Sequence, residues 1–206
     1  MKNTAKFHII YDGPALSENE MDVKDLAPSL IALSELFEEA NLILNKGRTN
    51  ISLNVKATFK TGCFGIDLHI IQSKINSILD YCKGENIVAA GTLLGFIGLN
   101  VAQGASIGVK GLIQLIKWVR GRKIKTIEIL DNGTVKIIID DDCFETEKQV
   151  LDLYKSYKIR EALYNAISKP LEKDGIDSFA CTDEIDNKVK FIVIRANCKT
   201  SIHVGI

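Results

Sequence analysis

The side chains that carry most enzyme chemistry are sparse in this chain of 206 residues. Its three histidines, His8, His69 and His203, are far apart, and none stands at metal-ligand or catalytic-triad spacing from a cysteine or carboxylate. His8 and His69 both fall in predicted strands. The pattern therefore favours structural roles for the histidines over catalysis or metal binding.

The densest acidic group is Asp140-Asp141-Asp142, whose carboxylate oxygens could bind a divalent cation. The same group stands between a predicted strand and a predicted helix that begins near Glu145, where acidic side chains suit the helix dipole. The second interpretation is favoured because no general base or nucleophile accompanies the cluster. An enzyme with a metal site at these aspartates is the weakest functional hypothesis, and no cofactor is expected.

Composition and charge narrow the class of protein. The five cysteines form no Cys-x-x-Cys pair and the N-terminus lacks the pattern of a secretory leader, which predicts reduced thiols in the cytoplasm. The net charge is zero, with 26 basic and 26 acidic residues, whereas nucleic-acid binding usually needs a strongly basic domain. Nucleic acid is therefore not an expected partner.

The spacing of apolar residues predicts an α+β fold, in which β-hairpins pack with amphipathic helices around a central apolar, Gly-rich helical hairpin. Period-two alternation indicates strands, and steps of three and four indicate helices. The predicted elements are, in order, a strand at 6–11, a helix at 26–44, strands at 51–59 and 64–70, a helix at 72–83, the apolar segment, a hairpin around Asn132-Gly133 within 125–142, one or two helices at 145–168, and strands at 179–182 and 188–195.

Residues 87–109 form a stretch of 23 positions without a charged side chain. A single helix here would be about 35 Å long, enough to cross a hydrocarbon core of roughly 30 Å. Asn100, Gln103 and the many glycines argue instead for two shorter helices, near 87–99 and 107–119, that form a hairpin. That hairpin could meet lipid, or it could be buried in the protein core or an oligomer interface. The sequence leaves these alternatives open.

The glycines of this stretch lack the Gly-Lys-Ser/Thr that a phosphate-binding loop requires. Their Gly-x-x-x-Gly spacing is typical of helices that approach each other closely. The residues predicted to contact a membrane or a second copy are Gly91, Leu93, Leu94, Gly95, Phe96, Ile97, Gly98, Leu99, Gly104, Gly108 and Trp118.

A basic cluster follows the apolar stretch. Lys117, Arg120, Arg122 and Lys123 are predicted to contact lipid headgroups, with Trp118 as an aromatic anchor among them. The alternative is an amphipathic helix over 110–119 that buries its apolar residues and leaves its lysines in water.

The apolar segment divides the chain into three predicted parts. These are an N-terminal α+β lobe at 1–85, the apolar helical hairpin or transmembrane segment with its basic flank at 86–123, and a C-terminal α+β lobe at 124–206. The length of the chain fits one domain with an inserted element, or two small lobes around it.

Six segments carry a family resemblance: SLIALSELFEEANLILN (29–45), VKATFKTGCFGIDLHI (55–70), LLGFIG (93–98), IKWVRGRK (116–123), IEILDNGTVKIIID (127–140) and GIDSF (175–179). They resemble an uncharacterised bacterial family, a domain of unknown function, in which Gly-Ser is expected where this chain has Gly62-Cys63. Members usually continue past the GIDSF segment, so the resemblance implies that this chain lacks a C-terminal β-rich region. The family brings no established activity.

Two functional hypotheses follow. The first is a non-enzymatic bacterial protein with a cytoplasmic α+β body and a membrane-active or oligomerising apolar hairpin, of the phage-defence or toxin-type effector class. The alternative is a soluble homo-oligomeric interaction module whose hairpin is buried in the assembly. The expected partners are a second copy of the chain and, under the first hypothesis, membrane lipid at the inner membrane.

Overall fold

Two antiparallel sheets and a set of helices make up the part of the chain that the computed structural model describes, residues 2–18, 20–56, 64–75, 87–99, 110–182 and 189–194. The α+β class is confirmed. The elements are β1 (Lys2–Asp12), α1 (Val23–Asn45), β2 (Thr49–Lys56), β3 (Phe64–Lys74), α2 (Ala90–Ile97), α3 (Leu112–Val119), β4 (Thr126–Ile129), β5 (Thr134–Ile139), β6 (Asp142–Glu147), α4 (Lys148–Lys155), α5 (Tyr157–Leu163), α6 (Lys169–Leu171), β7 (Ser178–Thr182) and β8 (Val189–Ile194). A 3-10 turn, Pro14–Leu16, follows β1, and a π-helical turn, Tyr164–Ser168, joins α5 to α6.

The larger sheet has the strand order β2-β3-β1-β7-β8, so β1 pairs with strands from both ends of the chain. It thereby combines strands from the predicted segments 1–85 and 124–206. Phe7 packs on Phe37 of α1, and Tyr11 packs edge-on against Phe179. The buried Tyr11 hydroxyl donates to the Ala166 carbonyl at 2.8 Å, and burial raises the pKa of this phenol. The inner face of the sheet is therefore covered by α1 and the π-helical turn.

Helix α1 forms where the apolar period of three to four predicts it. Leu33, Leu36, Phe37 and Ala40 line one buried face. Asp22 caps the first turn, since its side chain accepts a hydrogen bond from the Lys24 amide. The helix ends as Lys46 and Gly47 both adopt positive φ, which confirms the predicted stop.

Two predicted helix starts are wrong. β3 continues to Lys74, so the first residues of the helix predicted at 72–83 are in a strand, and 76–83 lie outside the described residues. The helix predicted from near Glu145 begins only at Lys148, because Phe144 and Thr146 alternate with exposed neighbours and form β6. Short stretches with this alternation pair readily when a neighbouring strand is available, here β5.

The aspartate cluster consequently lies where β5 turns into β6, with Asp140 and Asp141 in the turn and Asp142 at the start of β6, rather than at a helix start, which corrects its predicted capping role. Asp140 adopts a left-handed φ of 54°. Its carboxylate accepts a hydrogen bond from Lys125 Nζ at 2.6 Å, and this bond holds the pKa of Asp140 below its usual value. The cluster thus ties the start of β4 to the end of β5.

The hairpin of β4 and β5 is confirmed at Asn132-Gly133, but the turn differs from the predicted one with two positive φ angles. Only Gly133 has positive φ, at 83°. Its amide donates to the Leu130 carbonyl, and the Leu130 amide donates to the Thr134 carbonyl, each at 2.9 Å. This pattern is typical of a hairpin loop longer than two residues, in which only the glycine takes the left-handed conformation. Asn132 therefore does not need a positive φ.

A buried polar cluster fixes the start of the apolar segment. Asn41 Oδ1 accepts hydrogen bonds from Asn45 Nδ2, Thr49 Oγ1 and Gln72 Nε2 at 2.9, 2.7 and 3.1 Å. The Val88 amide donates to Asn45 Oδ1 at 2.7 Å, and its carbonyl accepts from Asn45 and Gln72. We call Asn41, Asn45, Thr49 and Gln72 the amide cluster. It satisfies the backbone of Val88 inside the protein and joins α1, β2 and β3 to the residues before α2.

We expect Asn41→Ala to lower the free energy of unfolding by roughly 3 kcal/mol, because three buried donors lose their acceptor together. Urea unfolding followed by circular dichroism measures this difference. The matched control is Asn54→Ala on the exposed side of β2, which should change stability by less than about 0.5 kcal/mol. Equal effects of the two substitutions would contradict the role given to Asn41.

Candidate interaction surface

The apolar segment folds as two short helices, not as one. α2 ends at Ile97, where Gly98 adopts a φ of 93° and its amide donates to the Leu94 and Gly95 carbonyls. α3 begins only at Leu112, so the single helix predicted over 87–109 is wrong, and the predicted division into two helices is confirmed. None of the helices in the described ranges has the length and apolar content needed to cross a membrane.

The structure places five of the predicted contact residues of this segment in the protein core. Leu93, Leu94, Ile97 and Leu99 are fully buried, and Gly98 is buried beside them. Gly91, Gly95 and Phe96 are half-buried, while Gly104 and Gly108 lie outside the described residues. Contact of these side chains with lipid or with a second copy stays a prediction, and it would require the segment to leave the core.

The close helix approach expected from the glycine spacing occurs at a different pair. A Cβ atom on Gly111, just before α3, would lie 2.7 Å from Gly98 Cα at the end of α2. A Cβ on Gly98 would meet the buried Gln114 Oε1 at 2.6 Å. Gly91, by contrast, has open space around its Cβ position. The Gly98–Gly111 contact lets the ends of the two helices meet.

Two arginines of the basic cluster hydrogen-bond to carbonyl groups at the end of α3. Arg122 Nη2 donates to the Trp118 carbonyl at 2.7 Å, and Arg120 Nε donates to the Lys117 carbonyl at 3.2 Å. These bonds satisfy carbonyl groups that the last helical turn leaves without an intrahelical partner. The half-buried Trp118 ring packs on Phe144 with centroids 5.3 Å apart. α3 buries its apolar face, as the amphipathic alternative predicts, and Arg120 and Lys123 remain exposed.

Directly after this cluster, β4 lies at the edge of the three-stranded sheet, whose order is β4-β5-β6. All four of its residues are exposed, Ile127 by 42% and Ile129 by 74%. The residues across from Ile127 and Ile129 on β5 are Ile137 and Val135, and both are almost completely buried. The apolar face of this sheet thus continues beyond the core onto a strand that the described part of the chain leaves exposed. We call residues 125–130 the β4 edge.

Sequence reasoning missed this surface because alternation of apolar and polar residues marks a strand and not its position in a sheet. Ile127 and Ile129 match the pattern of β5 equally well. Only the strand order, which depends on contacts far apart in sequence, leaves β4 at an edge.

A buried histidine–aspartate pair was also missed. His8 Nδ1 and Asp67 Oδ1 are 2.5 Å apart, in residues 59 positions apart that face each other across β1 and β3. Gly65 makes room for the imidazole, since a Cβ there would lie 2.3 Å from His8 Nε2. Both side chains are buried, so the pair joins two strands inside the sheet. Within the described part of the chain, no three His, Cys, Asp or Glu side chains are grouped to hold a metal ion.

An open groove of about 510 Å³ runs between α1 and α5. Its lining includes Glu35, Glu38, Glu39 and Glu161, against one lysine, Lys158, whose Nζ lies 3.9 Å from Glu39 Oε2. The local charge is therefore negative. This face and the basic cluster give opposite charges to two regions of a chain whose net charge is zero.

No protein-family model, curated protein or solved structure matches the chain. The family resemblance drawn from the sequence stays a prediction.

We expect Gly111→Ala to lower the free energy of unfolding by roughly 1–3 kcal/mol, because the added methyl group would push against the backbone of Gly98. Gly91→Ala is the matched control and should raise stability by up to about 1 kcal/mol, since alanine favours a helix and nothing obstructs it. Fluorescence of Trp118, the one tryptophan of the chain, follows unfolding in urea. Destabilisation by both substitutions would argue against the Gly98–Gly111 contact.

Proposed function

We propose that this chain is a non-enzymatic interaction module that works as a homo-oligomer, joined through the β4 edge. The observation that carries the proposal is the exposure of Ile127 and Ile129 on a strand with no neighbour on its outer side among the described residues. An uncovered edge strand presents unpaired amide and carbonyl groups, which are a template for another strand.

The exposed apolar surface of β4 is continuous with a packed interior. Val135 and Ile137 of β5 belong to the hydrophobic core, and Ile127 and Ile129 extend the same face outward. A strand added beside β4 would remove apolar area from water, at about 25 cal/mol per Å². Because a single added strand makes a small interface, we expect a weak and concentration-dependent dimer.

The interior of the protein supports a binding role more than a catalytic one. The buried His8–Asp67 pair and the amide cluster are both occupied in holding strands and helices together. The proposed association also does not use α2 or α3, most of whose apolar side chains are buried within one chain. An effector role in phage defence stays a prediction from the sequence alone.

We expect Ile129→Lys to weaken self-association roughly tenfold or more, because a charged group would replace the most exposed apolar side chain of β4. Sedimentation velocity or light scattering over a concentration series measures the dissociation constant. Val23→Lys is the matched control, since Val23 is 71% exposed but lies at the start of α1. It should leave the dissociation constant unchanged.

Val55→Lys tests the competing edge, because β2 borders the larger sheet and Val55 is also exposed. Loss of association with this substitution, but not with Ile129→Lys, would move the interface to β2. A parent protein that stays monomeric at every concentration would refute the proposal.

A second candidate function is docking to an anionic membrane surface, with cytoplasmic location and association with the inner membrane. The specific observation is that the exposed Arg120 and Lys123 lie next to the half-buried Trp118 and are followed by the exposed Ile127 and Ile129. Basic side chains near anionic lipid contribute about 1 kcal/mol each. No side chain of the buried α2 helix is needed for such a surface contact.

For this candidate, the protein should co-sediment with phosphatidylserine-containing vesicles and not with vesicles of phosphatidylcholine alone. Arg120→Glu with Lys123→Glu should reduce binding roughly tenfold or more, and added salt should weaken it. Lys148→Glu with Lys158→Glu, on other faces of the chain, is the charge-matched control. Equal binding to both kinds of vesicle would count against headgroup recognition.

A further inference from the structure

Resting on the proposed function, we infer that two copies of the chain pair their β4 strands antiparallel about a two-fold axis that passes between the two Glu128 residues. In this register Ile127 of each copy lies opposite Ile129 of the other. The two three-stranded sheets become one sheet of about six strands.

The hydrogen-bond pattern of the hairpin determines which backbone groups of β4 are available. The Leu130 amide bonds to Thr134 of β5, and Glu128 faces Lys136 in the same register. Because residues of an antiparallel strand alternate between bonding to one side and to the other, Glu128 and Leu130 bond toward β5. Before the strand, the Lys125 amide also donates toward β5, to the Ile138 carbonyl at 3.3 Å. The amide and carbonyl groups of Ile127 and Ile129 therefore point outward, away from β5.

A second β4 strand must meet these outward groups with its own Ile127 and Ile129. When Ile127 lies opposite Ile129 of the partner copy, both pairs exchange two hydrogen bonds, about four in all. The two-fold axis then passes between the two Glu128 residues, which face each other as a non-hydrogen-bonded pair. Both sheets also keep their apolar faces on the same side, because the paired residues differ by an even number of positions.

The two neighbouring registers leave an isoleucine without an apolar partner. A shift that sets Ile127 opposite itself places Ile129 opposite Lys125, and a shift that sets Ile129 opposite itself places Ile127 opposite Asp131. Only the central register opposes isoleucine with isoleucine in both pairs. Cross-strand apolar pairs are the main side-chain contribution to antiparallel pairing.

The opposite face of the joined sheet carries charge. Glu128 lies across from Lys136 within each copy, and Lys136 lies across from Glu145, so the junction has a row of Lys136, Glu128, Glu128 and Lys136 with a Glu145 beyond each lysine. Two like charges directly opposite each other weaken the pairing. The outer lysines offset part of this repulsion, which fits a dimer that forms and separates readily.

Disulfide trapping in the full chain identifies the register. In a non-hydrogen-bonded pair, which the two Glu128 residues form in this register, the Cα atoms lie about 4.5 Å apart. This distance is inside the range of about 4.4–6.8 Å between Cα atoms that a disulfide needs. Glu128→Cys should therefore form a covalent dimer under mild oxidation. Ile127→Cys and Ile129→Cys report the two shifted registers. The parent protein, with its exposed Cys143, gives the background.

Glu128→Gln provides a measurement that needs no cross-link. It removes the central like-charge pair, so the dissociation constant should fall about two- to five-fold. Glu35→Gln, at an exposed position of α1 outside this sheet, is the control and should have little effect.

The outcomes separate this inference from the proposed function. Cross-linking of Glu128→Cys above the parent level, with tighter association of Glu128→Gln, supports the register. Cross-linking of Ile127→Cys or Ile129→Cys instead overturns the register and leaves homo-oligomerisation through β4 in place. If the dimer persists in Ile129→Lys and no β4 cysteine cross-links, both the register and the β4 interface are refuted.

Discussion

The hydrogen bonds around Asn41 are the constraint on which the rest of this fold depends. The chain must carry an uncharged segment into its interior, and the backbone of that segment brings polar groups with it. Outside regular structure, those groups need side-chain partners. Asn45 and Gln72 supply them at Val88, and Asn41 orients both amides by accepting a hydrogen bond from each. The segment can then begin α2 with its apolar side chains already facing the core.

This arrangement explains how a segment with the hydropathy of a membrane span can be an ordinary core element. α2 and α3 are each eight residues long, or about 12 Å. Each is too short to cross a bilayer, but two such helices whose ends meet at Gly98 and Gly111 fill a space between the larger sheet and α4. The high hydropathy of α2 and α3 reflects their apolar side chains in the core, such as Leu93, Ile97 and Leu115, and hydropathy alone does not distinguish such burial from insertion in lipid.

The elements that could be predicted from sequence are those whose signals are local. The apolar stripe and caps of α1, the paired β2 and β3, and the β4–β5 hairpin at Asn132-Gly133 all follow from residues close in sequence. β6 could not be predicted as easily, because its alternation covers only six residues and runs directly into α4. The His8–Asp67 pair and the exposure of β4 depend on strand register and strand order, which are set by distant contacts. The candidate surface therefore emerged only from the three-dimensional arrangement.

The central position of β1 has a consequence for how the chain is made. β1 can pair with β3 soon after both have left the ribosome, but its other neighbour, β7, begins at Ser178. Until then one side of β1, including the buried positions Ile9 and Tyr11, is an open edge in an incomplete sheet. At synthesis rates of about 5–20 residues per second, that interval lasts on the order of ten seconds. During that interval the central strand of the nascent chain is paired on one side only, and its open side can pair wrongly with a neighbouring chain.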